Sequence, residues 1–372
     1  MNKDFNILFE EKKLKDKLFK NRYIVAPMTR VSAVNNGLAN ERMKQYYERY
    51  AKGGFSAIIS EGIYPDEEYS QGYDNQPGMA NENHRDAWKP IVRNVQAHGA
   101  LFLAQIMHAG AQSQGNPHRS HSIGPSEVAP KNDQLPFYGG NGPFPTPRIM
   151  THEDMENVKK SFAKSALLAK EAGFDGIEIH GANGYLLDQF LTDYFNQRED
   201  EYGGTTQNRI RYVLEVIEEV RKAVGEDYIV GIRISQGKAS DGDHRWALGE
   251  TDARTIFGEL GNAPLDFIHV TDEDVTQAGF GEGSLSMATA AKTFSHLPVI
   301  ANGKLESPEK ASSLLEKNEA DFISLGTSAL VNPDAPNRIR EGKPLEPFDF
   351  KSIMLPQADI KSHELTKELL RK

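Results

Sequence analysis

The sequence predicts an α/β chain folded as a (β/α)8 TIM barrel, and three observations carry that expectation. Short β-branched and apolar runs alternate with stretches of helical periodicity along the 372 residues. Such alternation implies a parallel sheet, because parallel neighbours need a crossover element between them. The runs number eight, which favours a closed barrel over an open doubly wound sheet. Nor does a G-x-G-x-x-G follow the first run, as it would in a dinucleotide-binding open sheet.

The expected strands are Tyr23–Pro27, Ala57–Ser60, Leu101–Met107, Gly176–His180, Ile229–Ile234, Phe267–Val270, Pro298–Ala301 and Phe322–Leu325. Each is too short and too β-rich for a lone helix. Helical patterns cover Glu82–His98, Asp154–Ala172, Asn208–Val224, Thr251–Leu260, Ser286–Phe294 and Pro308–Lys317. Met155, Val158, Phe162 and Ala166 share one face of the second, and Thr151 with Asp154 forms a capping box before it. Ser307 is placed as an N-cap, with Pro308 at the first helical position.

Uneven spacing between strands marks insertions within what reads as one barrel domain, residues 1–372. Residues 1–20 form an N-terminal cap, a hairpin closing the barrel bottom. Residues 109–150, crowded with Gly and Pro, form a long loop insertion between the third strand and its helix, on the side where barrel enzymes place their chemistry. Gln236–Leu248 and Asp272–Ser284 are expected as mobile covers, and residues 345–372 as a solvated C-terminal segment.

Composition narrows the chemistry. Lys+Arg 43 against Asp+Glu 53 gives a net charge of −10, which argues against nucleic acid or anionic membrane as a partner. With no cysteine there are no disulfides, thiolate nucleophiles or cysteine-held metal clusters, and no metal site is expected. No apolar signal region opens the chain and no run is long enough to span a bilayer, so the expected location is cytoplasmic.

At the C-terminal strand ends stand Thr29, Gly62, Gln105, His180, Arg233, Gly303 and Gly326. Polar side chains and glycines gathered at the functional face of a barrel form a constellation. The glycines after the last two strands suit a phosphate group, since backbone N–H groups approach closely only where no Cβ intervenes; Asn302 and Lys304 add an amide and a cation. Arg233, inside an apolar run, needs an anionic partner. His180, Asn183 and Tyr185 crowd three hydrogen-bond donors at one strand end. Met107, two residues beyond Gln105, falls on the same strand face.

Read in order, Ala26-Pro27-Met28-Thr29-Arg30, Ser60-Glu61-Gly62, Gln105 to Gly110, His180 to Leu191, Glu201-Tyr-Gly-Gly204 with Asn208-Arg209, and Ala301-Asn-Gly303 resemble the old yellow enzyme family of FMN-dependent ene-reductases. The resemblance runs from about Leu8 to Pro333. It implies bound FMN, with NAD(P)H as reductant and a small-molecule enone or quinone-like substrate; a homo-oligomer is left open. The activity it implies is reduction of activated C=C bonds in α,β-unsaturated carbonyl compounds, extending to quinones or nitro compounds. Hydride would come from FMN and the proton from Tyr185.

Carried residue by residue, the resemblance sets the backbone of Ala26, Pro27, Met28 and Thr29, with the Thr29 hydroxyl, beside the flavin. Gly62 leaves room over the ring, Gln105 meets the pyrimidine edge, and Arg233 sits by N1 and C2=O. His180 and Asn183 hold the substrate's oxygen, and Met107 lines the substrate space. Asn302, Gly303, Lys304, Gly326 and Thr327 surround the phosphate end. Two departures stand out. Relatives carry Gly-Arg after the eighth strand, where this chain has Gly326-Thr327-Ser328, so Lys304 or Arg338 is expected to supply the missing charge. Thr29 and Asn183 replace the Cys and His of one branch. Two other readings remain: a flavin-binding redox sensor or partner protein, and a barrel lyase or isomerase acting on a phosphorylated substrate.

Overall fold

In the computed structural model, which describes residues 5–370, eight strands close on themselves with parallel pairing throughout. They are β1 (Tyr23–Val25), β2 (Ala57–Ile63), β3 (Leu101–Ile106), β4 (Gly176–Asn183), β5 (Ile229–Lys238), β6 (Phe267–Thr271), β7 (Val299–Asn302) and β8 (Phe322–Leu325). The first pairs with the last through Tyr23 opposite Ile323, which seals the barrel and leaves no exposed edge.

Inward residues explain the closure. Ile24, Ala57, Ile59, Leu103, Ile229, Phe267, Ile300 and Phe322 form an apolar plug in the lower barrel. Each large side chain there contributes about 1.5–3 kcal/mol by leaving water. Gly231 is part of the fit, because a Cβ would stand 2.1 Å from the Phe267 ring. Replacing it with alanine would force that ring out of the plug. A hairpin of Lys12–Leu14 and Lys17–Phe19 sits beneath, with Leu14 and Phe19 in the same cluster. Residues 1–4 of the expected cap lie outside the described residues.

Helices wrap the outside: α1 (Glu41–Lys52), α2 (Glu82–Ala97), α3 (His152–Ala172), α4 (Thr206–Val224), α5 (Glu250–Asn262), α6 (Met287–Ser295) and α7 (Pro308–Glu316). The Thr151/Asp154 capping box is present, and the Ser307 hydroxyl accepts from the Lys310 N–H at 3.3 Å. Helix α1 is absent from the sequence reading. Its helical period is carried by Met43, Tyr46, Tyr47 and Tyr50, all buried, and tyrosine reads as readily as strand. Asn40 caps it, accepting from Met43 N–H at 3.2 Å.

Two boundaries differ from expectation in ways that matter for the site. Strand β5 continues through Lys238, so Gln236 belongs to the barrel and the cover begins later. The expected solvated C-terminal segment instead folds back on the barrel mouth as short helices, Phe350–Met354 and Ser362–Thr366. Arg30, just past β1, donates to both Glu364 oxygens at 2.6 and 2.7 Å and to the carbonyls of Ala358 and Asp359. Burying that pair fixes the segment, and Ile353, Ala358 and Ile360 are buried with it.

Candidate active site

At the C-terminal mouth of the barrel lies a cavity of about 380 Å³. It is lined by Pro27, Met28, Thr29, Gly62, Gln105, Met107, His180, Asn183, Tyr185, Arg233 and Thr327. A second cavity of about 700 Å³ shares Pro27, Met28, Arg233, Thr327 and Phe348 with the first. Ala26, after β1, lines it together with Asn302, Gly303, Lys304, Gly326 and Ser328 at the ends of β7 and β8.

The end of β4 aims three side chains at once. Pairing with β5 shifts register between Gly181 and Asn183, a bulge that turns the strand. Asn183 and Gly184 then take left-handed backbone, φ +59° and +81°. A Cβ on Gly184 would meet the Gln112 Oε1 at 2.4 Å, so only glycine fits. Behind the turn, the fully buried Lys238 ammonium donates to both oxygens of Asp188 at 2.7 and 2.8 Å. Asp188 also accepts the Gly184 N–H at 2.7 Å, and its partners hold the turn in place.

His180 is buried beside Arg233 and His269, and burial first, then those charges, push its pKa well below normal. A neutral imidazole offers one donor and one acceptor, and its Nδ1 has no partner among the described residues. Burial pushes the Tyr185 phenol up to about 12, against a smaller opposing effect from Tyr73. The phenol therefore keeps its proton across the physiological range. Its hydroxyl is hydrogen-bonded to that of Tyr73, and the Tyr73 ring packs on Tyr138 with centroids 4.6 Å apart.

The direct hydrogen-bond partner of Arg233 is an amide, with the Glu178 charge as its anionic influence. Its Nη2 donates to Asn302 Oδ1 at 3.1 Å, while its buried Nε has no partner among the described residues. The Asn302 Oδ1 also accepts from Thr271, and one N–H of its Nδ2 donates to the Ser324 carbonyl, which leaves the second N–H free of these strand contacts. It braces β6, β7 and β8 while lining the second cavity. The room at Gly62 is taken by Met107, whose Sδ would lie 2.7 Å from an added Cβ. Gly303, at φ +132°, could carry no side chain, because the Asp272 carbonyl oxygen lies 2.2 Å from its would-be Cβ.

Lys304 lines the second cavity, half-exposed and 2.9 Å from Glu273. Arg338 does not reach it. Helical spacing draws its guanidinium to Asp334 at 2.8 Å, with Glu346 at 3.5 Å. Several lining residues escaped the sequence reading: Leu135, Phe137 and Tyr138 from the insertion, and Phe348, Phe350 and Met354 from the C-terminal segment. Tyr73, in the segment after β2, carries no signal that singles it out in the sequence.

A planar heterocycle with a polar edge fits these residues. The unpartnered His180 Nδ1, the unpartnered Arg233 Nε–H and the Gln105 amide supply the polar contacts, and the glycine-lined second cavity accommodates an anionic tail. The NADH:flavin oxidoreductase / NADH oxidase family matches residues 7–346. An NADH oxidase of Thermoanaerobacter brockii is 30% identical over 91% of this chain, which spans about half (51%) of that protein's length. The 12-oxophytodienoate reductase 2 of Arabidopsis thaliana is 32% identical, covering 88% of this chain and 87% of its own. An old yellow enzyme homologue from Zymomonas mobilis superposes with a TM-score of 0.87 at 28% identity, over 98% of this chain and 99% of that one. Morphinone reductase, solved in complex with tetrahydroNAD, gives 0.80 at 28% identity, covering 92% of each chain. These matches leave no place for the lyase or isomerase reading. The chain belongs to the NADH:flavin oxidoreductase / NADH oxidase family, the old yellow enzymes, and is an FMN-dependent oxidoreductase using a nicotinamide reductant.

Proposed function

We propose that the protein reduces the C=C bond of α,β-unsaturated carbonyl compounds, with quinones and nitro compounds as related acceptors. The observation carrying this is the convergence of a neutral His180, Asn183 and a protonated Tyr185 on one aromatic-walled cavity. Bound FMN would supply the two-electron relay between the nicotinamide and the substrate's β-carbon. His180 and Asn183 grip the carbonyl oxygen and draw electron density from the alkene, which favours attack at that carbon. Tyr185 gives its phenol proton to the α-carbon and recovers one from solvent. One hydride and one proton are thereby added across the double bond.

The flavin would rest against Pro27–Thr29, its pyrimidine edge toward Gln105 and Arg233 and its phosphate toward Gly303, Lys304, Gly326 and Thr327. Met107, Leu135, Phe137, Phe348 and Phe350 give an apolar enone somewhere dry to lie. The test is anaerobic NADPH or NADH consumption by the FMN-loaded protein with cyclohexenone. Enone-dependent consumption with saturated product is expected. Flavin reduction without enone turnover would instead support the redox-sensor reading.

A further inference from the structure

Above the apolar plug, the barrel interior carries a buried polar chain that the mechanism leaves unused. Glu178, on β4, is fully buried. Its Oε1 accepts from Gln105 Nε2 at 2.8 Å, and its Oε2 accepts from His269 Nδ1 at 2.8 Å. The far side of that imidazole, Nε2, meets Ser324 Oγ at 2.8 Å. Strand register sets Gln105 beside Glu178 and His269 beside Arg233. Holding a carboxylate in a barrel interior is costly, and an apolar layer would stabilise the barrel at least as well. Stability alone therefore does not account for it.

Two consequences follow from its chemistry. A carboxylate only accepts hydrogen bonds, so Gln105 must turn its NH2 group inward, leaving Oε1 for the cavity. That oxygen would lie 3.3 Å from a Cβ at Gly62, a cavity-lining position. The carboxylate also offsets the Arg233 guanidinium, whose pKa burial lowers and Glu178 raises. We propose that Glu178 is a positioning residue for the flavin: it fixes the Gln105 amide with its oxygen toward the ring and offsets the Arg233 charge, holding the reduction potential below what Gln105 and Arg233 alone would set. The inference rests on the reading that those two residues meet the pyrimidine edge.

Glu178→Gln tests the charge without dismantling the network. The new Oε1 still accepts from Gln105, and the new amide donates to His269 Nδ1. The imidazole then switches tautomer, donating from Nε2 to Ser324, whose hydroxyl turns to the Ala301 carbonyl 3.5 Å away. Every member stays bonded, so the fold is kept. Potentials of the FMN-loaded proteins, measured by dye equilibration, are the readout. Reduced flavin carries added negative charge at this edge, so Glu178→Gln should favour it by about tenfold over oxidised flavin, a rise of about 30 mV for a two-electron couple.

A potential unchanged from wild type overturns the proposal. So does an equal rise in Ser324→Ala, which would assign the effect to a loosened network rather than to charge. Arg233→Met separates the proposal from the reading beneath it, because loss of the cation should lower the potential. If Arg233→Met has no effect, both fall. If it lowers the potential while Glu178→Gln does nothing, only the role of Glu178 is lost.

Discussion

Replacing Tyr185 by Phe deletes one oxygen and leaves the buried ring in place. The apolar packing is kept, so the structural cost is confined to the Tyr73 hydroxyl, which loses its partner. Leaving that phenol unsatisfied costs about 1–3 kcal/mol, small against the core of a barrel this size. The chemical cost is larger. Burial holds the phenol up to about 12, so the proton is present whenever substrate binds, and Tyr185 gives it from within the cavity while His180 and Asn183 are engaged with the substrate's oxygen on the proposed reading. Losing a positioned acid slows its step by about 10²–10⁴-fold, or roughly 3–5 kcal/mol of barrier. Anaerobic stopped-flow at the flavin absorbance separates the two half-reactions. Reduction by nicotinamide should proceed at nearly the wild-type rate while oxidation by enone collapses. Tyr73→Phe, which leaves the acid intact, should slow the second step far less. Equal loss in both half-reactions, or a larger loss in Tyr73→Phe, would refute the assignment of Tyr185 as the acid.

Three further outcomes are expected. Lys304→Ala should weaken FMN binding several-fold, measured by flavin fluorescence, and the effect should fade with salt because the side chain is half-exposed; unchanged affinity removes Lys304 from the phosphate site. Glu364→Ala leaves the Arg30 guanidinium buried without its carboxylate and should destabilise by about 3–5 kcal/mol, seen in thermal unfolding; a shift within error would mean solvent reaches Arg30. Buried His108 accepts the Gly110 N–H at 3.0 Å, and burial pushes its pKa down to about 4, with Asp66 pulling the other way. The unfolded chain binds that proton below about pH 6.5, so this contribution is present above pH 6.5 and is lost as pH falls toward 4. His108→Gln should therefore lose less stability than wild type across that window in urea titrations; Glu61, pushed up to about 7 by burial, acts in the opposite sense in both proteins and cancels in the comparison.

Much of the barrel was legible because parallel strands write themselves as short continuous apolar runs. The His180–Tyr185 cluster was legible for a related reason: polar residues ending such a run have few structural explanations. The walls of the cavity were not. Tyr138 and Phe348 lie more than 30 residues from His180 in sequence, and loops show no period that would say where they return. Glu178 and His269 left a trace, a charged or imidazole side chain among inward apolar positions, but alternation alone does not reveal that they meet. Arg338 pairs with a helical neighbour, Asp334, and does not line the second cavity, a contact its position in the sequence did not reveal. Asn302 does line the second cavity, but its bracing of β6 and β8 could not be read from one strand alone.

The tether between Arg30 and Glu364 divides responsibility within the molecule. Gln105, His180 and Arg233 line the cavity from the strands, where a shift of one residue would turn them away from the mouth. The aromatic wall comes partly from residues 348–354, in a segment secured by the buried Arg30–Glu364 pair and by contacts on either side of that stretch, among them Glu346 with Arg338 and Lys367 and the Ile360 N–H with Ser32. Substitutions in that stretch can reshape which molecules are admitted without disturbing a single barrel register. On the proposed function, a library confined to residues 350–354 would vary the substrate wall while leaving the strand residues and the second cavity alone.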